Sequence, residues 1–128
     1  MADTKNQSEK NDVTLERDGI IRMYYRGRQT AEGIKALSEK GDTLVERLQE
    51  QGNPILIMVD LGDLGAFGEP ELAAWRRLMA TRLYDRMAIV RLNPALRVIL
   101  HFMVKMANRQ DRVESFEDEA AALKWLNE

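Results

Sequence analysis

Cysteine is absent from this chain. That one absence removes disulfide staples, thiolate nucleophiles and cysteine-based zinc sites together. It also suits a reducing compartment. Histidine occurs once, at His101, with Arg97 and Lys105 four residues to either side and no carboxylate in place to orient it. A paired-histidine metal site and a Ser/His/Asp arrangement are therefore both missing, and the residue inventory points away from an enzyme. No apolar run approaches the ~18 residues a spanning helix needs. Residues 1–12 are polar and lack the apolar centre of a signal peptide. A cytoplasmic location is the expectation. Between Asn53 and Ala80 there is no Ser, Thr or Tyr. The glycine spacing Gly62, Gly65, Gly68 matches neither a phosphate-binding loop nor a dinucleotide fingerprint. No cofactor and no metal are expected.

What is present fits one domain. The 128 residues are 45% hydrophobic and 31% charged, an ordinary globular mixture. A chain of this size buries a core without staples. Residues 1–12 offer nothing to bury and are expected to form a disordered tail, with the domain spanning 13–128. The net charge is −2, but it is unevenly spread. From Arg76 to Arg112, nine Arg and Lys residues stand against Asp85 and Asp111, a local net of +7. Such asymmetry marks either solvated helix faces or an anionic partner such as an acidic membrane surface. A sequence pI near 5.5 argues against nucleic acid as that partner.

The elements alternate. Residues 13–17 and 20–25 read as strands joined by the hairpin pair Asp18-Gly19. Thr30 caps a helix running to about residue 51, with Ile34, Leu37, Leu44, Val45 and Leu48 on one stripe and Gly41 lying on it. Residues 55–59 are apolar throughout, the mark of a strand covered on both faces. A glycine-rich loop follows, then a helix from Glu69 whose inner stripe holds Leu72, Trp75 and Met79. Residues 87–90 form a further strand. Asn93 caps a helix over 94–108, residues 112–116 make a last strand, and a final helix turns Ala122, Trp125 and Leu126 inward. The order ββαβαβαβα predicts an α/β fold with a single mixed, mostly parallel five-stranded sheet.

Two regions stand out as sites. The loop carrying Asp60, Gly62, Asp63, Leu64, Gly65, Phe67, Gly68 and Glu69 follows the C-terminal end of a parallel strand, where ligands of open α/β sheets bind. Its glycines allow close approach of a partner. Leu64 and Phe67 are either exposed contact residues or tucked into the core. The helix over 94–108 is apolar over most of its circumference, with Leu96, Leu100, Phe102, Met103 and Met106 among its residues. Arg97, His101 and Lys105 form one narrow polar stripe at i, i+4 spacing. A helix packed on a sheet needs only about a 100° apolar face. The surplus calls for a second subunit, a lipid tail or a membrane interface; a homodimer is favoured because symmetric dimers are common.

Three stretches resemble the STAS superfamily and, within it, SpoIIAA-like proteins. They are Ile57-Met58-Val59-Asp60-Leu61, Arg86-Met87-Ala88-Ile89-Val90, and the close Phe116-Glu117-Asp118-Glu119 followed by Ala122-Leu123-Lys124-Trp125-Leu126. The resemblance covers about residues 13–128. It implies a bacterial, non-catalytic regulatory module acting through protein contacts. Anti-sigma factor antagonists of this kind are phosphorylated on a hydroxyl near the helix start that matches Gly68-Glu69-Pro70-Glu71, and here no hydroxyl is present. The fold's likeness to lipid-carrying domains implies an alternative: a carrier or sensor of an apolar or amphipathic small molecule, peripheral to an anionic membrane.

Overall fold

Asp18 and Gly19 turn the chain at the first hairpin. Gly19 takes φ +80°, a left-handed conformation that favours glycine, and the Asp18 carboxylate accepts the Ile20 N–H at 3.1 Å. The turn sets β1 (Asp12–Leu15) antiparallel to β2 (Ile20–Tyr24), with Val13 opposite Met23. The coordinates are a computed structural model that describes residues 10–81 and 83–128.

Helix α1 (Ala31–Glu50) starts where the Thr30 hydroxyl accepts the Gly33 N–H at 2.9 Å. It runs unbroken through Gly41, which is buried, and ends before Gly52 at φ +71°. After it come β3 (Leu56–Asp60), α2 (Glu69–Thr81) and β4 (Arg86–Val90). Helix α3 (Pro94–Met106) is capped by Asn93, whose side chain accepts the Leu96 N–H at 2.9 Å. Strand β5 (Val113–Phe116) and helix α4 (Glu119–Leu126) complete the chain, and Asp118 caps α4.

The strands lie in the order β1-β2-β3-β4-β5, and every pair after the hairpin is parallel. This is the mixed five-stranded α/β sheet that the sequence predicted. Right-handed crossovers that always advance in one direction put their helices on one face. Helices α1, α2 and α3 accordingly share a core with Ile21, Met23, Ile57, Val59, Met87 and Ile89. Among the described residues only α4 covers the opposite face, where Ala122 and Leu126 close over Ile20, Met58, Ala88 and Val90. The apolar strand β3 sits in the middle, as its unbroken hydrophobicity required.

The start of the chain differs from expectation in part. The expected tail lies outside the described residues up to position 9. Asn11 and Asp12, however, belong to the fold. Asn11 is 8% exposed and exchanges two side-chain hydrogen bonds with buried Gln29, at 2.9 and 3.0 Å. Its side-chain Oδ1 also accepts the Arg26 backbone N–H at 2.8 Å. Buried polar groups are paired in this way, and these bonds tie Asn11 to the fold. Strand β1 ends two residues sooner than the pattern predicted, because Glu16 already belongs to the turn through its carbonyl bond to Gly19.

Candidate functional site

The helix-covered face is not closed between α2 and α3. Of the thirteen residues of α2 only Met79 is buried; Leu72, Trp75 and Leu78 are half-buried. Beneath them lies a cavity of about 100 Å³. Its floor is the sheet: Met23 and Tyr25 at the end of β2, Val59 of β3, Met87 and Ile89 of β4. One wall is α2, with Leu72, Trp75, Leu78 and Met79. The other is α3, with Leu96, Ile99, Leu100 and Met103. The walls are apolar and aromatic and include no charged side chain. Trp75 is held edge-on between Tyr25 and Phe67, with ring centroids 5.6 and 5.2 Å away. Its buried indole Nε1 has no hydrogen-bond partner among the described residues.

The glycine-rich loop is tied down. Gly27 donates to the Asp63 carbonyl at 2.8 Å, Gly65 to the Gly27 carbonyl at 2.8 Å, and Gln29 to the Ala66 carbonyl at 2.9 Å. The loop thus continues the sheet beside residues 27–29. A Cβ on Gly65 would stand 2.7 Å from the Gly27 carbonyl carbon, so this glycine serves a backbone-to-backbone approach. Leu64 turns into the cavity, and Phe67 packs on Trp75. The strand order has no reversal, so the crevice that ligands of open α/β sheets use at such a switch does not form beside Asp60.

Asp60 is buried and fully engaged. One carboxylate oxygen accepts the Gly62 N–H at 2.9 Å, and the other meets Arg91 Nη2 at 2.8 Å. The hydrogen bond to Asp60 raises the Arg91 guanidinium further above its ordinary value. Arg91 is held at φ 60°, an uncommon conformation for a residue with a side chain. Asp63 is exposed and 4.0 Å from Arg26. The Gly68 N–H bonds the Glu71 carboxylate at 2.6 Å, and Glu69 reaches Arg76 at 3.6 Å. None of these polar groups lines the cavity.

Helix α3 divides the residues that its sequence grouped together. Leu96, Leu100 and Met103 line the cavity. Arg97 and His101 border a groove beside Val113, Glu114 and Ser115 of the edge strand β5. Phe102 and Met106 point outward with Val98, and Lys105 is exposed. The sequence had assigned Trp75 to plain core packing and had given α2 beyond Glu69 no part in a site. The available signal was the stripe Leu72, Trp75, Met79 together with Leu78, a wider apolar arc than one buried face uses.

A family model described as SpoIIAA-like matches residues 20–127. Among curated proteins none matches the chain. A crystal structure of an uncharacterized protein from Shewanella loihica PV-4, of the DUF3478 family and with a SpoIIAA-like fold, is similar over 91% of both chains at a TM-score of 0.62 and 17% identity. A protein with unknown function from Arthrobacter sp. FB24 is 21% identical over 89% of this chain and 90% of its own, at a TM-score of 0.29. The first of these likenesses shows the fold alone.

Proposed function

The chain belongs to the SpoIIAA-like family, and we propose that it is a non-catalytic binding module whose cleft between α2 and α3 takes an apolar or amphipathic small molecule. The cavity of about 100 Å³ carries this reading. Apolar wall left facing water in such a cleft is unfavourable, by about 25 cal/mol per Å². An apolar occupant offsets that cost. Engineered apolar cavities of roughly 150 Å³ stay dry and accept benzene-sized guests. The volume here fits a small ring or the end of an acyl chain, with the remainder of a longer molecule in the mouth between the helices. The sequence alone put protein contacts first. The geometry favours ligand binding, because four of the singled-out residues, Leu64, Leu96, Leu100 and Met103, converge on one apolar cleft.

Titration with the fluorescent apolar probe N-phenyl-1-naphthylamine tests the proposal. Saturable binding is expected, with loss of at least tenfold in affinity when Leu100→Trp fills the cavity. Absence of saturable binding, or binding indifferent to Leu100→Trp in a folded variant, contradicts it.

A further inference from the structure

We propose that the outer shoulder of α3 docks on the surface of an anionic bilayer. Among the described residues, the exposed large apolar side chains are Leu83, Val98, Phe102 and Met106, at 61, 59, 62 and 81% exposure. Val98, Phe102 and Met106 stand at i, i+4 and i+8 and form one row along the helix. Leu83 lies in the segment after α2, which meets the chain just beyond the end of α3. Its neighbours Ala80 and Tyr84 both touch Arg109, which follows Met106 by three residues: Arg109 donates to the Ala80 carbonyl at 3.1 Å and lies 5.1 Å from the Tyr84 ring centroid. An exposed row of this kind marks an interaction surface.

Charge selects the partner. Along α3 the row is flanked by exposed Arg97, His101 and Lys105, and the helix carries no acidic residue. A second copy related by a two-fold axis crossing the helix at Phe102 would set Arg97 of each helix beside Lys105 of the other and bring the two His101 side chains together, with no carboxylate on either helix to pair them. An anionic lipid surface satisfies both features. The apolar row enters the boundary between headgroups and acyl chains, and the cations lie among the phosphates. Met106 lies seven residues from Ile99 and so on nearly the same line of the helix, and Ile99 is a cavity wall residue. Docking therefore brings the α3 wall of the cleft to the bilayer. The docking itself does not require the cavity to be filled.

Flotation of the full chain with vesicles tests this, using phosphatidylcholine alone and an equal mixture with phosphatidylglycerol, at low and high salt. Retention is expected on the acidic vesicles only, weakening as salt screens the charges. The double variant Arg97→Glu/Lys105→Glu should lower the bound-to-free ratio roughly tenfold or more. Phe102→Ser should lower it several-fold while leaving N-phenyl-1-naphthylamine binding unchanged. The altered residues are exposed, so circular dichroism should match the wild type. Equal retention on both vesicle types, retention on neither, or retention indifferent to these variants overturns the proposal. So does a dimer in lipid-free sedimentation that Phe102→Ser dissociates, because the row then belongs to a second copy.

Discussion

Gly62 and Gly65 look interchangeable in sequence, yet their surroundings differ. A Cβ on Gly65 meets backbone, 2.7 Å from the Gly27 carbonyl carbon, and backbone yields only by moving the loop off residues 27–29. A Cβ on Gly62 meets side chains instead, Arg91 Cδ at 2.8 Å and Asp60 Oδ1 at 3.2 Å, and side chains shift more cheaply than backbone even at the expense of the Arg91–Asp60 pair. Gly65→Ala is therefore expected to cost on the order of 1–3 kcal/mol, and Gly62→Ala distinctly less. Urea denaturation of the two variants gives the comparison, and equal losses would contradict it. Tyr84 makes a second test at this scale. Burial raises its pKa above the ordinary tyrosine value near 10. The folded chain then holds the phenolic proton more tightly than the unfolded chain does. This contribution is fully present below the unfolded pKa and is lost as pH rises through the folded one. Stability should fall from about pH 9 to 11 more steeply in the wild type than in Tyr84→Phe. Parallel declines would show that Tyr84 takes no part.

At the scale of the element, α3 is the informative case. Met103 is 9% exposed in the cavity wall, and Met106 is 81% exposed on the outer row. Met103→Ala should cost about 2 kcal/mol or more, while Met106→Ala stays within about 0.5 kcal/mol. Thermal or urea unfolding of the pair checks this, and similar costs would mean that the row is covered within the monomer. The surplus apolarity of α3 was legible in the sequence because an arc much wider than one buried face is visible in the residue pattern. Its division into a wall and an outer row was not. That division depends on how far α2 stands from α3, and spacing between helices leaves no periodic mark in either one. Helix α1 was legible in full, since one stripe from Ile34 to Leu48 packs on one surface. The loop from Asp60 was located correctly as a segment, but no local signal announces that Gly65 serves the backbone of Gly27, 38 positions earlier.

Across the whole molecule, one property of the topology organises the rest. The parallel strands advance in a single direction, so three crossover helices crowd one face and α4 covers the other. The crowded face is where two helices can part over an apolar sheet without exposing backbone. The continuous hydrophobicity of β3 foretold its central place. The cavity above it arises from the sheet, the two helices α2 and α3 and the loop together, and no single segment encodes it. The central claim is that this cavity receives an apolar ligand, and the methionine methyl groups are placed to report on it. Met23, Met79, Met87 and Met103 line the cavity, Met58 lies on the opposite face under α4, and Met106 is on the outer row. With the methionine methyls isotopically labelled, a titration with N-phenyl-1-naphthylamine followed by nuclear magnetic resonance should shift the four cavity signals and leave Met58 and Met106 in place. Shifts confined to Met106, or no shifts at saturating probe, would contradict the account.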